Sequence, residues 1–160
     1  MYMQYIHRKG FTILEILIAL AIMGILMAIS VSHFSVLNDR QIVEKEAHAI
    51  LGTLEQARLN AIASRYDSPY GVKFNSTSTV LFQGNTYDSR DQSKDDIRPL
   101  NSKLQINSNL SSSGGLSTYV DYSKITGEAS ATGTITIILK SATTTNKVIT
   151  VYETGIAETN

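Results

Sequence analysis

The side chain near the start that most needs a chemical explanation is Glu15, a lone carboxylate following Arg8-Lys9-Gly10-Phe11-Thr12-Ile13-Leu14. Residues Ile16 to Leu37 contain no Asp, Glu, Lys or Arg. A carboxylate inside a membrane helix costs about 2.5–3.5 kcal/mol on insertion scales, so it marks a function or a partner. In a helix begun at Phe11, Glu15 lies four residues on, on the same face, and its side chain points back towards the amino terminus. A positive amine beside it would offset much of the burial cost. The expected chemistry is ion pairing rather than catalysis.

Other groups that could do chemistry read differently. Asp88, Asp91, Asp95 and Asp96 fall within nine residues, and calcium prefers several oxygen ligands. The spacing is not that of an EF-hand, no Gly stands at the turn, and Arg90 and Lys94 interrupt the cluster, so a solvated, mobile surface loop is expected. His7, His33 and His48 have no metal-ligand spacing, and structural or solvent-facing roles are expected for the latter two. No Ser, His and acid arrangement and no Gly-rich phosphate loop occurs. The expectation is a non-enzymatic chain with no catalytic residues, no metal site and no cofactor.

Ile16 to Leu37 is about 22 residues, or about 33 Å as a helix, enough to cross a bilayer. Beyond it, Val43, Ala47, Ile50, Leu54, Ala57 and Ala61 recur at spacings of four and three, one face of a helix, with Glu44, Lys45, Glu55 and Arg58 on the other. No proline precedes Pro69, so one helix is expected from Phe11 to about Arg65. Gly24 and Gly52 are its weak points, at about 1 kcal/mol each relative to Ala. After Pro69 the chain turns to short runs rich in Thr, Ser, Val, Ile and Tyr, which read as strands. These are 70–75, 79–83, 103–107, 117–122, 134–140 and 147–152, the last two forming a hairpin across an Asn-bearing turn. The stretch 108–115, SNLSSSGG, reads as a flexible connection. The fold class is α+β, a long amino-terminal helix with a β-rich antiparallel head packed on its second half.

The basic leader, Gly10-Phe11, Thr12-x-x-Glu15 and the immediate apolar helix together resemble the start of a type IV pilin or type II secretion pseudopilin. The resemblance implies cleavage by a prepilin peptidase between Gly10 and Phe11, methylation of the new Phe11 amine, and a filament-assembly role for Glu15, paired with the amine of a neighbouring subunit. It divides the chain into a leader (1–10), a transmembrane helix (11–37), an amphipathic continuation (38–66) and a head (67–160). It implies as partners other pilin or pseudopilin subunits, the prepilin peptidase, an inner-membrane assembly platform and membrane lipid. The family commonly has a helix-breaking proline near the position of Ser32. The ending, with Gly133 before one strand and Val151-Tyr152-Glu153-Thr154-Gly155-Ile156 after the next, is similar to H-type pseudopilins and FimT-like minor pilins.

Charge narrows the partners. Lys plus Arg and Asp plus Glu number 14 each, and loss of Arg8 and Lys9 with the leader leaves 12 against 14. Arg8 and Lys9 before the apolar run keep the amino terminus in the cytoplasm by the positive-inside rule, with the head periplasmic or extracellular. Cysteine is absent, which excludes disulfides and thiolate sites. Two rivals for the start remain: a secretory signal cut after Ala28-Ile29-Ser30, and a simple single-span anchor. Some FimT-like pilins bind DNA through a basic pair after the carboxy-terminal Gly. Here Ile156-Ala157-Glu158-Thr159-Asn160 follows Gly155, so DNA-binding residues are not expected and nucleic acid is not an expected partner.

Overall fold

The computed structural model describes residues 10–160, with the backbone alone for 29–36. The expected leader therefore lies outside the described residues except for Gly10, as do His7 and the side chains of Ser32 and His33. One helix, α1, runs Ile13–Ile62 and passes through Gly24 and Gly52 without a break. It begins at Ile13 rather than Phe11 because Thr12 caps it. Among the described residues no helix is long and apolar enough to cross a membrane; the apolar run of the sequence continues through 29–36, whose side chains are not described.

The chain divides after Asn38 into two units. In the first, apolar side chains from Phe11 to Met27 stand exposed, Phe11 at 80 % and Met27 at 63 %. The second, Asp39–Asn160, contains the rest of α1 and nine strands: β1 (Tyr70–Asn75), β2 (Ser78–Gln83), β3 (Asp96–Pro99), β4 (Leu104–Ser112), β5 (Gly115–Ser117), β6 (Tyr119–Tyr122), β7 (Ala131–Leu139), β8 (Ala142–Val151) and β9 (Ala157–Thr159). They form two antiparallel sheets, ordered β3-β2-β1-β6 and β5-β4-β7-β8-β9. The chain changes sheets at Thr118, whose carbonyl accepts from the Phe74 N–H at 2.9 Å.

The helical stripe predicted by periodicity is the spine of this unit. Val43, Ala47, Ile50, Leu54, Ala57 and Ala61 are each at most 2 % exposed and share one core with Val72, Leu104, Leu110, Ile135, Ile137 and Ile149 from both sheets. Burying one apolar helix face against alternating strand residues is what makes the sheets and the part of α1 from Asp39 onward a single folded body.

A second, smaller apolar cluster lies on the other face of the β3-β2-β1-β6 sheet. Val80 and Phe82 alternate with the core-facing Leu81 yet are 3 % and 0 % exposed, and neither belongs to the main core. The loop 84–95 brings Tyr87 into edge contact with Phe82 at 5.5 Å, and Tyr119 approaches Phe82 at 5.9 Å. Gly71 makes room for the Phe82 ring, since a Cβ there would lie 2.4 Å from it.

Several sequence expectations change. Residues 108–115 are not a loose connection: β4 continues to Ser112, and Ser113-Gly114 is a two-residue turn into β5. The expected strand 117–122 is broken at the sheet change. The β7–β8 hairpin is present, but it turns at Lys140-Ser141, Asn146 pairs with Ile138 inside β8, and Gly133 lies within β7. Strands β3 and β9 were not expected at all.

Candidate functional site

Thr12 has its side-chain oxygen 3.2 Å from the Glu15 N–H, and its carbonyl accepts from the Ile16 N–H at 3.2 Å. Thr12 is therefore the cap and Glu15 the third helical residue, the positions of a capping box, with Phe11 immediately before the cap. The expected relation, Phe11 and Glu15 one turn apart on a helix, is corrected: Phe11 precedes the helix. What fixes the Glu15 backbone relative to the amino-terminal segment is the cap, a signal legible in Thr12-x-x-Glu15. Gly10, Phe11 and Glu15 are all exposed, and a Cβ added at Gly10 would meet nothing within 4 Å. An acidic group in the first turn also faces the positive end of the helix dipole. The arrangement leaves an accessible chain segment immediately ahead of an exposed acidic residue in the first helical turn.

The carboxylate-rich loop does other work. Asp95 accepts two hydrogen bonds from Arg90 Nε, at 2.9 and 3.0 Å, and this pair is largely withdrawn from solvent. The Arg90 guanidinium also lies 3.5 Å from the Tyr87 ring centroid and donates to the Tyr87 carbonyl at 2.6 Å. Asp91 accepts from the N–H and hydroxyl of Ser93, which hold its carboxyl below the usual range. Asp88 is exposed and Asp96 stands at the start of β3. The loop is thus braced internally by Arg90 and seated on the sheet through Tyr87 rather than loose in solvent. Among the described residues no three His, Cys, Asp or Glu side chains are grouped to hold a metal ion. His48 is exposed on α1.

Arg58 was expected on the helix face away from the apolar stripe, and the partners it finds there were not foreseen. Its Nε donates to the Gly127 carbonyl and its Nη2 to the Thr154 carbonyl, each at 3.3 Å. The link holds the loop before β7 and the turn after β8 against α1. Gly155, at φ 79°, completes that turn: a Cβ would stand 1.9 Å from the Gly127 oxygen. Beyond it, residues Ala157–Thr159 pair with Ile149–Val151 as an edge strand.

Comparison with known proteins gives one match. Residues 6–31 fit the family profile of the prokaryotic N-terminal methylation motif. No curated protein and no solved structure matches the chain. Pilin-like chains with this motif are prepilin peptidase substrates rather than enzymes, and an amino-terminal apolar segment anchors them in the membrane. At its amino terminus this chain is type IV pilin-like: it carries the methylation motif, joined through a capped helix to a β-rich head.

Proposed function

We propose that the chain is a minor pilin or pseudopilin, most like the H-type subunit, that assembles into or initiates a type IV filament or a type II secretion pseudopilus. The observation that carries this reading is the methylation motif at 6–31 together with a helix, Ile13–Ile62, whose later turns form the core of a β-sheet head. In this role the peptidase cuts after Gly10, Phe11 becomes the methylated amino terminus, and Glu15 pairs with the amine of an adjacent subunit. Subunits wait in the inner membrane with the amino terminus cytoplasmic and the head outside. An assembly platform then draws them into a filament. A low local dielectric among packed helices strengthens the Glu15 pairing, which sets the register of the incoming helix.

The carboxy-terminal strand favours this over the DNA-uptake alternative. The residues after Gly155 include no Lys or Arg, and Ala157–Thr159 are engaged with β8. Phosphate neutralisation by cations supplies most non-specific DNA affinity. The test is Glu15→Leu, followed by crosslinking to the other subunits. The variant is expected to be processed, to stay in the membrane with a folded head, and to be missing from filaments. Normal incorporation would remove the assembly role.

A further inference from the structure

A cleft of about 490 Å³ opens beside the end of α1, within the size range of about 300–1,000 Å³ usual for small-molecule sites. Its walls come from the last turns of α1, the turn that follows, β2, and the segment entering β3. Three carboxamides line it, Gln56, Asn60 and Gln83, and none has a side-chain hydrogen-bond partner among the described residues. Two phenols join them. Tyr66 is 73 % exposed, and the Tyr70 hydroxyl has no hydrogen-bond partner among the described residues.

The backbone at the rim is strained. Ser64, Tyr66 and Asp67 have φ of 47°, 53° and 54°, the left-handed region that residues other than Gly rarely occupy. Such strain persists only where the surroundings impose it, and it concentrates at binding sites. Lys124, hydrogen-bonded to Asp67, helps to hold the turn. The result is that the Tyr66 ring stands at the cleft mouth, with the Arg65 guanidinium 5.2 Å from its centroid.

The charges at the lining select the ligand class. Arg65 and Lys94 are cationic and Asp96 is anionic; Lys94 also reaches Asp91, outside the lining, at 3.7 Å through an exposed ion pair weak enough for a ligand carboxylate to replace. A bare phosphate would meet Asp96 unfavourably and would leave the carboxamides and the ring without use. A sugar acid uses all of them: its carboxylate takes the cations, its hydroxyls take Asp96 and the amides, and its C–H face lies on Tyr66. We propose that this cleft binds a uronic acid unit of an acidic polysaccharide, giving the head a ligand site separate from the filament-forming amino terminus.

The test is calorimetric titration of the full chain in detergent micelles with trigalacturonate, with maltotriose and inorganic phosphate as comparators. Trigalacturonate is expected to bind saturably, and at least about tenfold more tightly than either comparator. Tyr66→Gly keeps the left-handed backbone and removes the ring, so it should weaken binding about tenfold without lowering the melting temperature. Asn60→Ala, near the end of the helix, should weaken it as well. Absence of trigalacturonate binding, equal affinity for maltotriose or phosphate, or full affinity in Tyr66→Gly would each overturn the proposal.

Discussion

At the scale of single residues, the head is fastened by a few polar contacts that have large consequences. Arg58 satisfies two carbonyls from segments far apart in sequence, and its removal leaves both without that donor. Arg58→Ala is expected to lower stability by about 1–3 kcal/mol in urea unfolding, with Arg58→Lys recovering little because an ammonium lacks the planar fork. Tyr122 beside it is fully buried, and its hydroxyl has no partner among the described residues. Burial pushes that hydroxyl well above the ordinary tyrosine range, with the Arg58 charge opposing. Because the folded value lies above the unfolded one, its titration leaves stability unchanged below about pH 10 and lowers it as the pH rises through the folded value. Tyr122→Phe should therefore flatten the alkaline limb of a stability-against-pH curve and gain about 1 kcal/mol at neutral pH, since an unsatisfied polar atom is removed. A loss of stability at neutral pH would show that the hydroxyl is partnered after all.

At the scale of elements, what periodicity encodes was readable and what side-chain partnership encodes was not. The stripe Val43 to Ala61 is uninterrupted, so its buried face followed from spacing alone. Leu54→Ala should cost about 2–5 kcal/mol, whereas Leu59→Ala, on the exposed side at 63 %, should change stability by less than about 0.5 kcal/mol. Comparable thermal shifts for the two would contradict the assigned face. Strands β1, β2, β7 and β8 announced themselves by β-branched and aromatic residues. The continuation of β4 hid behind serines, although Leu104, Ile106 and Leu110 keep the two-residue alternation and Ser113-Gly114 supplies a hairpin turn. β3 is exposed along its length, so no apolar pattern marks it; its pairing with β2 does. Arg90 looked like a charge in a solvated loop because nothing local in the sequence reveals Tyr87 and Asp95 as its partners.

At the scale of the whole molecule, the sequence divides the labour clearly between its two ends. The amino-terminal signal combines Gly10-Phe11, Thr12-x-x-Glu15 and a long apolar run, and it was legible because each part has a distinct chemical reason. The cleft was not legible, since Gln56, Tyr66 and Lys94 are brought together only by the fold. The account's central claim is that this chain enters the pilin processing route. Intact-mass measurement of the protein purified from membranes of a cell with an active prepilin peptidase tests it most directly. The predicted mass is that of residues 11–160 carrying one methyl group on Phe11. A full-length chain, or a mature chain beginning at Val31 as after signal peptidase cleavage, would contradict it.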